Sequence, residues 1–290
     1  MDKIKYITPF DEEYPDKLRN IDNSPEGIYI KGSLPDKDEP CVAIVGSRVC
    51  SEYGKAMAKE FAKELAKNNV SIISGMARGI DGIAQEAAIN AGGKSYGILG
   101  CGIDVVYPIS NKRLYERVVE KGGLITEYPP GREPLPHQFP QRNRIISALS
   151  DIVLVIEAKK RSGTSITVSR ALEQGKDIFA VPGRLYDACS EGCNELISQG
   201  AGIAISPDII LKALGVDSNR QDSNAFRVPK LTKNEKKVLS VISFSPVSID
   251  YIQNTTEISL QELFEILFNL QLKEIIIDLG QGNYIKKAPA

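Results

Sequence analysis

Two short glycine-containing loops carry the residues best suited to chemistry, and that chemistry is the binding of an anion. The apolar run 42–45 ends at Gly46, Ser47 and Arg48, and the run 70–73 ends at a second loop. The second loop consists of Ser74, Gly75, Met76, Ala77, Arg78 and Gly79. Glycine lets backbone N–H groups approach a ligand, and the helix predicted after each loop begins with unpaired N–H donors at its positive end. Both loops are therefore predicted to hold phosphate groups, the alternative being that the glycines serve only tight turns.

A local excess of basic residues indicates a chain of phosphates rather than one nucleotide. Residues 142–170 include six basic residues and two acidic ones. The basic residues are Arg142, Arg144, Lys159, Lys160, Arg161 and Arg170. Cations along a groove, together with an arginine such as Arg48 that can grip a phosphate through two hydrogen bonds, suit a polynucleotide. For residues 159–161 a solvated surface loop is an equally good interpretation.

One aromatic residue stands just before this basic segment. Phe139 precedes Pro140 in the sequence. An aromatic ring beside cations is a platform on which a nucleic-acid base can stack. Packing of Phe139 into the core is the equally good alternative.

Other nucleotide sites fit the sequence poorly. A dinucleotide site needs the pattern G-x-G-x-x-G, and Arg48 stands where the second glycine would admit a pyrophosphate. A P-loop ending at residues 93–95 would require glycine at Ala88, and these residues lead from a helix into a strand. His137 is the only histidine, so the sequence offers no histidine-based triad or metal cluster. We expect neither a metal ion nor a cofactor.

Four carboxylates keep an enzymatic alternative open. Asp81, Asp104, Glu127 and Glu157 lie near predicted strand ends or helix starts, where they could act as acids or bases. Their structural interpretations are a helix-start cap for Asp81 and a partner of nearby cations for Glu157. We expect a binding protein with no catalytic step, and the alternative is a Rossmann-like nucleotide or nucleoside-monophosphate hydrolase.

The elements that must position these residues alternate between strands and helices. From Cys41 to about Gly215, β-branched apolar runs alternate with amphipathic helical segments. This alternation predicts an α/β fold with a mostly parallel, doubly wound sheet that is covered on both faces. Ligands of such sheets bind in a crevice at the carboxyl ends of the strands, where both glycine loops are expected.

Four segments are predicted from the changes in pattern. Residues 1–39 form a short lead-in that packs on the next domain, 40–215 form the sheet domain, 216–229 form a polar linker, and 230–290 form a small C-terminal domain. Three helices and a β-hairpin in that last segment are typical of a winged helix. Its third predicted helix, 259–274, is acidic, which favours protein contact or domain packing over DNA reading.

Composition and charge restrict what the protein can bind and the compartment in which it is expected. Its 290 residues carry a formal net charge of -1, so a polyanion site must come from local clustering. The sequence has no apolar run of the roughly 18–20 residues needed to span a membrane. Five cysteines without a C-x-x-C pair are typical of a reduced, cytoplasmic protein.

Several motifs in fixed order resemble the DNA processing protein A (DprA/Smf) family. They are Gly46-Ser47-Arg48, Ser74-Gly75-Met76-Ala77-Arg78-Gly79-Ile80-Asp81, Leu99-Gly100-Cys101-Gly102-Ile103-Asp104 with Tyr107-Pro108, Phe139-Pro140 with Arg142-Asn143-Arg144-Ile145-Ile146, and Val181-Pro182-Gly183 with Gly192-Cys193-Asn194. The resemblance covers about 175 residues, and the ordered set is far more specific than any one motif. It implies a Rossmann-like domain that binds single-stranded DNA, protects incoming strands in natural transformation and helps to load the RecA recombinase.

The resemblance also implies which residues contact DNA. These are Gly46, Ser47 and Arg48, the loop from Ser74 to Gly79, and Arg142, Asn143 and Arg144; Ser162, Gly163 and Thr164 stand where the family has another small-residue loop. Family members commonly pair through the Rossmann-like domain, so a homodimer is implied. One departure is Gln85, which replaces a histidine usual in the family.

Overall fold

The computed structural model describes residues 4–160, 162–217, 231–273 and 275–287, which fall into two compact units. The first unit runs from Met1 to Ser218 and the second from Asn219 to Ala290. The linker predicted at 216–229 lies, from residue 218 onward, outside the described residues.

The first unit is built on one nine-stranded sheet. Its strands in chain order are β1 (Lys5–Ile7), β2 (Ile28–Gly32), β3 (Cys41–Val45), β4 (Ser71–Ser74), β5 (Ser95–Ile98), β6 (Gly122–Thr126), β7 (Ile152–Val155), β8 (Asp177–Ala180) and β9 (Gly202–Ile203). Their order across the sheet is β1-β2-β6-β5-β4-β3-β7-β8-β9. Neighbours from β6 to β9 pair in parallel, while β2 pairs antiparallel with both β1 and β6. The predicted α/β class with a mostly parallel sheet is confirmed.

Helices cover the sheet on both faces. They are α1 (Asp16–Arg19), α2 (Glu52–Lys67), α3 (Ile80–Asn90), α4 (Lys112–Lys121), α5 (Gln138–Leu149), α6 (Gly163–Glu173), α7 (Glu191–Ser198) and α8 (Pro207–Ala213). Along β3, Val42 and Ile44 belong to one buried cluster, whereas Ala43 and Val45 belong to another. Successive side chains of a strand point to opposite faces, so two covered faces require the unbroken apolar runs seen in the sequence.

The N-terminal segment is part of the sheet. Residues 1–39 were expected to pack on the sheet domain as a lead-in, but β1 and β2 extend the sheet itself beyond β6. Tyr14, Leu18, Ile28 and Ile30 are buried in the same cluster as Val45. The first strand was missed because three residues are too few to show an alternating pattern.

The strand order creates a crevice between β3 and β7. Chain connections run from β3 outward through β4 and β5 on one side, and from β7 outward through β8 and β9 on the other. The loops after β3 and β7 therefore diverge at the carboxyl ends of two adjacent parallel strands. This switch point is where open α/β sheets bind ligands.

The second unit has three helices and a three-stranded sheet, which is a winged-helix arrangement. Its elements are α9 (Lys233–Val241), β10 (Val247–Ser248), α10 (Ile249–Thr256), α11 (Leu260–Leu272), β11 (Ile276–Asp278) and β12 (Asn283–Lys286). Thr232 and Glu235 close the predicted capping box at the start of α9. The predicted end of the third helix at Glu274 lies outside the described residues.

One face of α11 bears exposed apolar side chains. An apolar stripe, spaced four residues apart so that its members share one face, consists of Leu260, Phe264, Phe268 and Leu272, each about half exposed or more. The core of this unit uses other positions of the same helix, such as Leu263 and Leu267. Across the described residues of both units, no helix is long and apolar enough to span a membrane.

Candidate nucleic-acid interface

The first loop presents a side chain rather than its backbone. The Ser47 N–H donates to the Glu157 carbonyl oxygen at 2.8 Å, and the Val49 N–H donates to Ser47 Oγ at 3.2 Å. These N–H groups are therefore already used within the protein. Arg48, between them, is exposed. The exposed Arg48 guanidinium is therefore the side chain of this loop that is placed to contact an anion.

The second loop packs directly against the first. Gly79 has a φ of 76°, and a Cβ at this position would collide with the Ser47 carbonyl oxygen and with the backbone of Arg48. The Ile80 N–H, at the start of α3, donates to the Ser47 oxygen at 3.2 Å. Only glycine permits this approach together with a left-handed φ. The two loops thus form one surface, as the sequence predicted from their neighbouring strands.

Hydrogen bonds from the protein interior hold the backbone of the second loop in place. Met76 is fully buried and has a φ of 56°, a backbone angle that residues other than glycine seldom adopt. Asn111 Nδ2 donates to the carbonyl oxygens of Met76 and Ala77 at 3.0 and 3.1 Å, and Ser74 Oγ donates to the Ile44 oxygen at 2.6 Å. Ser74 and Met76 therefore shape the loop from inside, while Arg78 is exposed at its tip.

Arg142 lies beneath this surface. It is 4 % exposed and donates to the carbonyl oxygens of Gly75, at 2.9 Å, and of Ile98. Asp81 is also buried, and its carboxylate accepts a hydrogen bond from the Gly75 N–H at 3.1 Å. Burial raises the pKa of Asp81, a shift that the nearby Arg142 guanidinium opposes. Arg142, predicted as a DNA contact, instead supports the second loop in this structure.

Phe139 lies at the surface of the crevice. The Arg48 guanidinium carbon is 5.8 Å from the centre of the Phe139 ring, and the rings of Phe139 and Tyr107 are 5.4 Å apart. A Cβ at Gly100 would press against the same ring. Phe139 is half-buried and Tyr107 is 44 % exposed. Arg48, Phe139 and Tyr107 therefore form a continuous cation–aromatic surface suited to nucleotide stacking.

Arg144 bonds to residues that lie away from the two glycine loops. Its guanidinium makes two hydrogen bonds of 2.7 Å with the Glu127 carboxylate, and its Nε donates to the Asn23 oxygen at 2.8 Å. Only 12 % of its side chain is exposed. Asn143, between the two arginines, is half-buried. Arg144, also predicted as a DNA contact, is not brought to the two glycine loops.

The loop after β7 carries the remaining predicted residues. Lys159 and Lys160 are exposed, whereas Arg161 lies outside the described residues. Gly163 is exposed at the start of α6, and Thr164 is buried. Ser162 Oγ is buried and has no hydrogen-bond partner within the described part of the chain. The exposed lysines and Gly163 border the switch point on the β7 side.

The four candidate acid–base carboxylates are all engaged in hydrogen bonds. Asp81 accepts from Gly75, Glu127 accepts from Arg144, and Asp104 accepts from the Gly131 N–H at 2.7 Å. Glu157 accepts from the N–H of Ser51 at 3.0 Å and from its hydroxyl. Asp81 therefore helps to hold a loop, and the partner of Glu157 is a serine rather than a cation.

Two residues that build this surface were not among the predicted contacts. Tyr107 extends the aromatic surface, and Asn111 fixes the carbonyl groups of the second loop. Both belong to the segment between β5 and α4, which brings them to the crevice. The Tyr107-Pro108 pair was a visible signal, whereas nothing local marked Asn111.

Comparisons with known proteins identify one family. The model of the family described as DNA recombination-mediator protein A matches residues 5–215. A DNA processing protein DprA from Streptococcus pneumoniae is 43 % identical over 209 residues, which cover 72 % of this chain and 74 % of that protein. Protein Smf from Escherichia coli is 42 % identical over 211 residues, which cover 72 % of this chain and 56 % of that one.

Solved structures show the same fold. The crystal structure of DprA from Streptococcus pneumoniae matches with a TM-score of 0.68 at 41 % identity, covering 72 % of this chain and 74 % of that one. DNA processing protein A from Helicobacter pylori, whose structure addresses its single-stranded DNA binding mode, matches with a TM-score of 0.65 at 30 % identity. This second match covers 74 % of this chain and 98 % of that one.

Proposed function

Because this chain belongs to the DNA processing protein A (DprA/Smf) family, we propose that it binds single-stranded DNA without sequence preference in the crevice at the carboxyl ends of β3 and its two neighbours, β4 and β7. The observation that carries the proposal is the position of Arg48. Its guanidinium is exposed beside the Phe139 ring, on a loop that packs against Gly79 of the second loop. A cation next to an aromatic face serves one phosphate and one base of a single strand together.

The residues of the proposed site fall into two groups: exposed residues that contact DNA, called the rim, and residues that hold the rim in place. Arg48, Arg78, Phe139, Tyr107 and Lys159 make up the rim that meets DNA. The residues that shape it are Gly46, Ser47, Ser74, Gly75, Met76, Ala77, Gly79 and Arg142. Asn143, Arg144 and the segment 162–164 border the crevice, and a longer strand passing over α5 and α6 would reach them.

The cellular role follows from the family. We propose that the protein protects incoming DNA and assists the loading of RecA recombinase in transformation and recombination. The family description as a recombination mediator, matched from residue 5 to residue 215, supports this role. We also propose a homodimer that pairs through the first unit, as the resemblance implies.

The proposal is tested by fluorescence anisotropy with a labelled single strand of about 20 nucleotides and its matched duplex. We expect the native protein to bind the single strand more tightly than the duplex. Arg48→Ala should weaken single-strand binding at least about tenfold, a loss of about 1.4 kcal/mol. The slope of log K against log salt should approach about -0.7 for each phosphate neutralised.

Arg117→Ala is the matched control. Arg117 is a partly exposed arginine on α4 that pairs with Glu86 and donates to Asn90, at the end of α3 away from the two glycine loops, and its removal should leave the affinity unchanged. Equal, weak binding of both nucleic acids that ignores Arg48→Ala would overturn the proposal. Release of base or phosphate from mononucleotides by the native protein would instead support the hydrolase alternative.

A further inference from the structure

The helix that follows the first strand of the switch point usually provides a phosphate site in this class of fold. Its first turn has unpaired N–H groups and a positive dipole end, and ligand phosphates bind there. In this protein the corresponding helix is α2, which begins after its N-cap residue Ser51. The turn is close to solvent, since Ser51 is exposed.

A carboxylate of the protein itself occupies that turn. Glu157, which follows β7, is 2 % exposed. One carboxylate oxygen accepts from the Ser51 N–H at 3.0 Å, and the other accepts from the Ser51 hydroxyl. That hydroxyl in turn accepts from the Gly54 N–H at 3.1 Å, so the carboxylate is joined to the first turn of α2 by a short chain of hydrogen bonds.

Gly54 shows how closely the carboxylate approaches the helix. A Cβ at residue 54 would overlap the carboxylate group of Glu157. A carboxylate held against a helix start by N–H and O–H donors has the charge and the hydrogen-bonding pattern of a bound phosphate oxygen pair. A ligand phosphate could enter only by displacing a buried, hydrogen-bonded anion.

We propose that Glu157 is a built-in substitute for phosphate and determines the class of ligand that this crevice accepts. By filling the mononucleotide phosphate position, it confines outside phosphates to the exposed rim at Arg48 and Arg78. A free nucleotide then loses its anchoring position, whereas a polynucleotide binds through several rim contacts along its backbone. The preference for a polynucleotide rests on the function proposed above. The occupation of the start of α2 by Glu157 does not depend on that function.

The inference is tested by chemical rescue of Glu157→Ala in buffers without phosphate or carboxylates. Removal of the side chain should empty the turn and lower the melting temperature. Inorganic phosphate or acetate, at tenfold excess over its dissociation constant, should then raise the melting temperature of this variant by about 3–6 °C. The native protein should show no such rise and should bind phosphate at least about tenfold more weakly in isothermal titration calorimetry.

Glu52→Ala is the control, because Glu52 lies in the first turn of the same helix and its side chain is 35 % exposed. This variant should behave like the native protein toward both anions. Equal responses of Glu157→Ala, Glu52→Ala and the native protein would overturn the inference. The assay needs no DNA, so it can succeed or fail independently of single-strand binding.

Glu157→Gln keeps the test decisive if the alanine variant does not fold. Glutamine keeps the shape and an acceptor for Ser51 but removes the charge. We expect this variant to melt below the native protein at low ionic strength, because an anion at a helix start is stabilising. A melting temperature equal to that of the native protein would show that the charge has no role.

Discussion

Arg48 and Arg142 both approach the ring of Phe139, at 5.8 and 6.0 Å, but water reaches only Arg48. A solvated guanidinium can exchange water for a phosphate at little cost, so Arg48 is suited to binding. A buried guanidinium has already replaced its water with Gly75, Ile98 and the charge of Asp81. Both residues are arginines, so exposure to solvent, and not residue type, distinguishes the one that can bind phosphate from the one that holds the second loop in place.

Replacement of Arg142 by alanine should chiefly affect stability. The change leaves the carbonyl oxygens of Gly75 and Ile98 without a donor and Asp81 without its nearby cation, and should cost about 2–5 kcal/mol in the free energy of unfolding. Urea unfolding followed by circular dichroism measures this loss. Arg170→Ala, which breaks a half-exposed ion pair with Glu173, should change stability by less than about 1 kcal/mol. An Arg142→Ala protein of native stability that no longer binds the single strand would make Arg142 a contact after all.

The sequence could identify the arginines but not their separate roles. Two residues two positions apart in a helix are about 200° apart around its axis, so Arg142 and Arg144 cannot face the same crevice. The sequence predicts a helix from Arg142 to Leu149, whereas α5 starts four residues earlier, at Gln138, which places both arginines well inside the helix. The acidic residues beside them, Asp81 and Glu127, come from distant segments that local patterns do not reveal.

At the scale of elements, the recognisable signals were the apolar runs of the parallel sheet. The strands from β3 to β8 lie in such runs, because strands covered on both faces are largely apolar, and the two-residue edge strand β9 lies in the run 202–205. The three-residue strand β1 had no such signal. The position of β2 next to β6 also could not be foreseen, since antiparallel addition at a sheet edge leaves no mark in either strand's own sequence.

The exposed face of α11 argues against DNA reading by the second unit. Its apolar stripe lies beside the acidic residues Glu262 and Glu265, and neither apolar nor acidic side chains attract phosphates. Deleting residues 230–290 should therefore leave affinity for a single strand within a few fold, as measured by the same anisotropy titration. A loss above about 1.4 kcal/mol, which is tenfold, would contradict this expectation. Arg48→Ala in the shortened chain should still abolish most of the binding.

At the scale of the whole molecule, buried ionisable groups make the free energy of unfolding depend on pH. Burial raises the pKa of Cys101 to about 11 and the pKa values of Cys41 and Cys193 to about 12, from 9.0 in the unfolded chain. Below about pH 8 these thiols are protonated in both states, so their contribution to stability is complete. Between pH 9 and 12 they ionise more readily in the unfolded chain, which favours unfolding.

The urea midpoint should therefore stay level from neutral pH to about pH 8 and fall progressively above about pH 9. Circular dichroism at a series of pH values measures it. Cys101→Ala should make the fall shallower, because one of the three groups is gone. A native midpoint that holds constant to pH 11 would show that the three thiols are not held protonated by the fold.

The antiparallel edge of the large sheet also bears on how the chain is made. Tyr29 of β2 pairs with Tyr6 of β1 but also with Thr126 of β6, which is 126 − 29 = 97 residues later. At about 5–20 residues per second, a ribosome delivers that second partner about 5–20 s after the first hairpin has emerged. During this interval Ile28 and Ile30, which end in the core, have no sheet to cover them. The hairpin of β1 and β2 is thus synthesised well before β6, the strand that joins it to the rest of the sheet.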